Sequence, residues 1–241
     1  MKKPLKYLIE LIPHKSLRKR LKNKYINEYK IEGNNNQIIL FSDDNEEKFN
    51  YLPTLSITIK GNNNRIRIHK TAKISGQIYI EANNVEINFA EASYCNMILI
   101  CDQGSNQRFI LGKHSTIGFV DCRLNEDRAA VVIGENCMFS SRIDILGTDG
   151  HAIIDKKTHR ILNKLNKPII IGNNCWVGMG VTITKNANLP DNTIVGTGSI
   201  VTKQFTEKNA IIAGNPAKVI KRNIIWDRRN SSTLLEIEHG K

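Results

Sequence analysis

The chain has 241 residues, 40% of them hydrophobic but only 6% aromatic, so a sizeable core must be built mainly from aliphatic side chains. A net charge of +12 calls for an anionic partner or serves solubility; no aromatic-interleaved basic run or nucleic-acid-binding motif is present, which sets nucleic acid aside. Five cysteines, an odd number without a Cys-x-x-Cys pair, argue against a disulfide framework or a zinc site and point to a reducing compartment.

Residues 1–30 read as a basic amphipathic helical segment. Leu5, Leu8, Ile9 and Ile12, then Leu17 and Leu21 beyond Pro13, recur at helical spacing, with Lys and Arg on the opposite face. Such a segment packs on the body of the protein or on a neighbouring subunit; the sharper alternative is a peripheral contact with an anionic membrane or glycan. The apolar stretch Tyr7–Ile12 is too short for a signal core, and no segment is long enough to span a bilayer. A cytoplasmic protein is expected.

From Ile31 the pattern changes. Gly33-Asn34-Asn35-Asn36 is followed by Ile38 and Leu40, and Gly61-Asn62-Asn63-Asn64 by Ile66 and Ile68: a Gly/Asn turn, then alternating apolar residues. Further short strands are expected at Ile74, Ile78–Ile80 and Val85–Ile87. The strongest signal is a period of six, with aliphatics at Ile171, Val177, Ile183, Leu189, Val195 and Val201. Small or modest residues follow four positions later at Cys175, Val181, Ala187, Thr193 and Ser199, until Phe205 breaks the series. The same phrase occurs earlier as Leu111-Gly112, Ile117-Gly118 and Ile133-Gly134.

A period of six is neither helical nor simply alternating. It fits a triangular prism in which each face takes one short strand of a parallel sheet. One aliphatic residue per six points inward, a small residue lies near the corner, and Gly or Asn supplies the unusual backbone angles there. The core is then a column of branched aliphatics, stable only when coils stack. The expected fold is all-β, a parallel β-helix over residues 31–222 with an excursion at 147–168, short N-terminal and C-terminal helices, and a tail at 223–241.

The phrase from Ile169-Ile-Ile-Gly-Asn-Asn-Cys-Trp-Val-Gly through Gly196-Thr-Gly-Ser-Ile-Val-Thr-Lys to Ala213-Gly-Asn-Pro-Ala-Lys-Val-Ile-Lys221 resembles the hexapeptide-repeat acyltransferases, whose β-helices are left-handed. Within them it is similar to the galactoside and maltose O-acetyltransferases and their capsule-modifying and polysialic-acid-modifying relatives. The match covers roughly residues 130–222; the first hundred residues match only in style. The resemblance implies a homotrimer with active sites between subunits, and acetyl-CoA as co-substrate.

Acyl transfer to a hydroxyl needs a base, and neutral imidazole suits physiological pH. By resemblance, the Asp-x-His at the start of the excursion marks the catalytic residues, His151 as general base and Asp149 as its orienter, an acceptor contact or a loop cap. His159, on the same loop, has no counterpart in the family. Asp144 and Ser141, one strand earlier, are candidate acceptor contacts facing the same groove. Trp176, at an outward repeat position, offers a flat apolar face to a sugar ring or the pantetheine arm. Gly178, Met179, Gly196, Thr197, Thr202 and Lys203 fall where the family lines its CoA groove, and Lys218 and Lys221 where its basic residues meet the nucleotide phosphates. Asn215-Pro216 is the turn that leaves the helix.

The function implied is transfer of acetyl from acetyl-CoA to a hydroxyl of a bacterial surface glycan sugar in capsule, sialic acid polymer or lipopolysaccharide, with no metal; the basic balance favours an acidic glycan. The alternative is an N-acetyltransferase acting on an amino sugar nucleotide, although no N-terminal α/β nucleotide-binding unit is legible. A γ-type carbonic anhydrase would need three zinc-binding histidines at defined spacing, which His69, His114, His151 and His159 do not supply.

Overall fold

The computed structural model describes residues 12–14, 29–49 and 52–238; the helical segment expected over 1–30 lies almost wholly outside them. The rest is a left-handed β-solenoid of about seven turns. One face is a parallel stack of β2 (Gln37–Ser42), β5 (Arg65–His69), β7 (Glu86–Phe89), β9 (Arg108–Leu111), β11 (Ala130–Ile133), β14 (Ile169–Ile171) and β17 (Asn188–Leu189). The other two faces share a second sheet. In its lower coils one long strand bends around both faces: β6 (Lys73–Ile80), β8 (Tyr94–Cys101) and β10 (Thr116–Arg123). In the upper coils each face has its own strand: β12 (Met138–Phe139) and β13 (Ile143–Leu146), β15 (Trp176–Val177) and β16 (Thr182–Thr184), β18 (Ile194–Val195) and β19 (Ile200–Val201).

The six-residue period is the inward column. Ile171, Val177, Ile183, Leu189, Val195 and Val201 are buried, as are Cys175, Val181, Ala187, Thr193 and Ser199. In the top coil all three faces repeat after eighteen positions: Ile170 faces Asn188, Trp176 faces Ile194 and Thr182 faces Ile200. Lower down the repeat is longer, with Arg65 facing Glu86 and Glu86 facing Arg108, so the strict period fails there. The isolated short strands expected at Ile74 and Ile78–Ile80 are one strand, β6, bent at Gly76. Gly76 has φ 109°, and a Cβ there would strike the carbonyl oxygen of Met97 in the next coil.

Asparagine turns the corners. Asn136, Asn174, Asn192 and Asn209 all hold left-handed φ between 54° and 59°, a region Asn tolerates better than other non-glycine residues. Their amides ladder from coil to coil, as where Asn174 Nδ2 donates to Asn192 Oδ1 at 2.6 Å. All five cysteines are free and buried; burial pushes the Cys101 thiol up to about 12.

At each end one sheet receives an antiparallel addition. Strand β3 (Asn45–Lys48) folds back on β2, and β21 (Ala217–Lys221) folds back on β20 (Ile211–Gly214), which blunts edges that would otherwise template pairing with another chain. At the second sheet's lower edge β1 (Lys30–Glu32) pairs with β4 (Leu55–Lys60). Beyond β21 the chain runs on to a short helix, α1 (Ser231–Glu238). Among the described residues no helix is long and apolar enough to cross a membrane.

Candidate active site

The excursion 147–168 leaves the solenoid between β13 and β14. On all three faces the pairing jumps by thirty-eight positions across it, with Val131 facing Ile169, Met138 facing Trp176 and Asp144 facing Thr182, so the coil resumes in register and the loop is extruded from one corner. The outer part is a hairpin. Ile154 and Ile161 bridge antiparallel, and Leu162 N donates to Ile153 O at 2.8 Å. Its tip is an Asx turn in which Asp155 Oδ1 accepts from Thr158 N and Thr158 Oγ1; these donors hold the Asp155 carboxyl below its ordinary range. His159 stands at that tip in left-handed conformation, φ 53°.

The loop base is tied by a polar cluster that places His151. Asp149 Oδ2 receives Lys185 Nζ at 2.6 Å and Asn163 Nδ2 at 2.7 Å. Asn163 Nδ2 also donates to the His151 carbonyl at 2.9 Å, and its Oδ1 accepts Ile153 N at 2.7 Å. Lys185 Nζ bonds the Asn163 carbonyl as well. Lys185 comes from the corner of the next coil, and only 10% of its side chain is exposed. Desolvation would raise the Asp149 carboxyl, but the hydrogen bonds from Lys185 and Asn163 outweigh it and hold the group below its ordinary range. On the other side Thr148 Oγ1 donates to Glu126 Oε2 at 2.9 Å and accepts Gly150 N at 3.0 Å. The backbone on both sides of His151 is therefore fixed, while the residue itself is exposed. It opens on a groove of about 550 Å³ whose walls include Glu126, Asp149, His151, Asn163, Lys164 and Lys185.

The sequence pattern singled out Asp149 and His151, and the fold brings them together, but Asp149 reaches His151 through Asn163 and the backbone rather than through the ring. Asn163 and Lys185 were not legible as site residues. Asp144 and Ser141 do not line this groove, against the expectation. Asp144 points outward from β13, in register with Asp121 and Thr182, and Ser141 lies at a corner whose carbonyl accepts Gly180 N.

Most of the remaining candidates lie elsewhere on the prism; Thr202 and Lys203 follow Val201, which pairs with Ile183, and so share the corner of Lys185 without lining the groove. Trp176 projects from β15, 39% exposed, beside Trp226 of the tail, with ring centroids 6.0 Å apart. Met179 and Thr197 are exposed at the corner after that face, where Arg142 Nη2 meets Met179 Sδ at 3.2 Å. Gly178 and Gly196 are explained by stacking: a Cβ on Gly178 would meet Thr197 N at 2.7 Å, and one on Gly196 the Ala213 Cβ at 2.9 Å. Thr202 and Lys203 are exposed after β19, Lys203 with its ammonium 5.3 Å from the Phe205 ring centroid. Lys218 and Lys221 are exposed on β21. None of these residues borders the His151 groove of the same chain. Among the described residues no cluster of three His, Cys, Asp or Glu side chains converges as a metal site would require.

A family model described as the hexapeptide repeat of succinyl-transferase matches residues 167–185. A polysialic acid O-acetyltransferase of Escherichia coli O1:K1 is 35% identical over 170 residues, 70% of this chain; the chain spans about half, 47%, of that relative's length. A polysialic acid O-acetyltransferase of Neisseria meningitidis is 33% identical over 174 residues, 72% of this chain and 80% of the relative. The crystal structure of the polysialic acid O-acetyltransferase OatWY aligns with TM-score 0.74 at 30% identity, over 86% of this chain and 95% of that one. Kinship to the meningococcal relative and to OatWY at this level, over most of both chains, and the stacked six-residue repeat lead to one conclusion: the chain belongs to the hexapeptide-repeat acyltransferases of left-handed β-helix fold.

Proposed function

We propose that the protein transfers acetyl from acetyl-CoA to a hydroxyl of an acidic capsule glycan, a sialic acid polymer being the first candidate, with His151 as general base. In the step proposed, a neutral ring nitrogen of His151 takes the proton as the acceptor oxygen attacks the thioester carbonyl carbon. The new C–O bond forms, the C–S bond breaks, and the imidazolium returns its proton to the CoA sulfur. No metal is needed, since a positioned base and backbone dipoles suffice. The observation that carries the reading is the placement of His151, exposed but held on both sides at the base of the long excursion, in a solenoid akin to two polysialic acid O-acetyltransferases.

A homotrimer with the site shared between subunits completes the proposal. Two observations support it. The His151 groove lacks Trp176 and the CoA-groove candidates of its own chain. The hairpin also leaves Ile153, Ile154, Ile161 and Leu162 exposed, an apolar edge that a neighbouring subunit would cover.

The test is CoA release from acetyl-CoA by the purified chain across a panel of polysialic acid, uronic-acid capsule, neutral lipopolysaccharide sugar and amino sugar nucleotide. Polysialic acid should give the highest rate. Release driven by the amino sugar nucleotide alone would establish N-acetylation instead.

A further inference from the structure

The chain has two tryptophans, and folding brings them side by side although the loop-bearing coil and the tail are far apart in sequence. Beyond β21 the tail doubles back along one corner of the solenoid and binds the carbonyls of its left-handed residues. Ile224 N donates to Asn209 O at 3.0 Å, Trp226 Nε1 to Asn174 O at 2.7 Å, and Arg228 Nη2 to Asn136 O and His114 O at 3.2 Å. Arg228 also donates to Cys137 O at 2.7 Å and Thr116 Oγ1 at 2.9 Å. With its single N–H satisfied, Trp226 is fixed by its edge, and its ring face is what remains available.

That face meets Trp176 at a 43° tilt, a shallow notch rather than a sealed stack. Core packing does not explain the pair: Cys175 and Val177 fill the interior on either side of Trp176, and both rings lie outside the solenoid wall. Trp176 is 39% exposed and Trp226 half-buried, and indole surface left in water is costly unless something covers it. A pyranose ring has an apolar C–H face that matches an indole face. Charge beside the notch selects the kind of sugar. Asp227 pairs with Arg229, and Glu207 with Arg222. Arg228, 6.0 Å from the Trp226 centroid, bonds only neutral oxygens and so keeps its positive charge beside the shelf.

We propose that Trp226 joins Trp176 in an aromatic shelf that takes a pyranose ring of an acidic acceptor glycan, with Arg228 both anchoring the shelf and attracting the sugar's carboxylate. This rests on the acetyl-transfer reading and assigns the tail a share in acceptor specificity. The test uses the full chain with acetyl-CoA and polysialic acid, comparing wild type, Trp226→Ala and Trp226→Phe. Trp226→Ala should raise the acceptor KM about tenfold, with the acetyl-CoA KM unchanged and the unfolding temperature only slightly lowered, and Trp226→Phe should restore most of the acceptor affinity. A rise in the acetyl-CoA KM instead would assign the shelf to the pantetheine arm, and an unchanged acceptor KM with a lowered unfolding temperature would make Trp226 a fastener of the tail; either overturns the proposal. If wild type acetylates no polysialic acid, the acceptor reading has failed, and tryptophan fluorescence titrated with acidic and neutral glycans tests the shelf by itself. Emission should shift with an acidic glycan, and a flat response to every glycan overturns the shelf.

Discussion

At the scale of residues, the polar tie under the loop carries most of the consequences. His151→Ala should lower kcat by about 10²–10⁴, the usual general-base contribution, with affinity for acetyl-CoA nearly unchanged; His159→Ala, at the hairpin tip, should be milder. The reverse order would move the base to His159. Because the Asp149 carboxyl is depressed in the fold, its contribution is complete at neutral pH and is lost only as pH falls below about 4, the ordinary carboxylate range. An acidic limb in kcat/KM at about pH 6–7 therefore reports an imidazole, and a limb confined below about pH 4.5 would contradict a histidine base. Lys185→Met removes the cation that holds Asp149. Asp149 keeps 38% of its side chain exposed, so water absorbs part of the loss, and a cost of about 1–2 kcal/mol is expected. Lys185→Met combined with Asp149→Asn should cost less than the sum of the two, and strict additivity in unfolding measurements would show that the pair does not act as a unit. Lys218→Glu and Lys221→Glu should raise the KM for acetyl-CoA, less so in high salt; no change in either would leave these lysines as solvated surface. His151 was legible as a candidate because an Asp-x-His interrupts a regular repeat in a chain that resembles the acyltransferases. Asn163 and Lys185 were not, because it is coil stacking that brings a corner lysine of the next turn under the loop.

At the scale of elements, the sequence was most legible where the coil is shortest. With eighteen residues per turn every inward position returns after six, so the spacing from Ile171 to Val201 is itself the signature of three faces. From β5 to β11 the coils take three or four more residues, and that surplus goes into continuous strands: β8 alternates inward and outward residues through the bend, while β10 breaks the alternation at Gly118 and Phe119. Alternation predicts strands there, but it does not mark corners, and Gly76 made one strand look like two. The tail was illegible for a different reason. Apart from Thr116 Oγ1 its partners are backbone carbonyls, such as those of Asn209, Asn174, Asn136 and His114, which offer no side-chain signature. The inward column gives a direct test. Ile183 is buried between Ile145 and Val201 in register, so Ile183→Ala should cost about 2–5 kcal/mol in chemical unfolding. Thr182→Ala, one position away on the outward face, should cost under about 1 kcal/mol. Equal costs would mean that the column is not the source of stability.

At the scale of the whole molecule, the prism separates the two groups assigned to the proposed chemistry. His151 leaves one corner on its loop, whereas Trp176 projects from a face on the far side of the adjoining corner, and among the described residues Trp176 does not line the His151 groove. A solenoid is too rigid to close that gap by bending, since each coil is packed on its neighbours. In the proposed homotrimer a second copy would close it by symmetry. The measurement that tests this account most directly is complementation. His151→Ala and Trp176→Ala chains, each first assayed alone and expected to be strongly impaired, are unfolded together, refolded and assayed for acetyl transfer from acetyl-CoA to polysialic acid. Random mixing places an intact His151 opposite an intact Trp176 at roughly a quarter of the interfaces of a cyclic trimer, so activity should return to about that fraction of wild type. Mixed chains that assemble yet stay inactive, or a wild-type monomer that is fully active in sedimentation, would contradict a site shared between subunits.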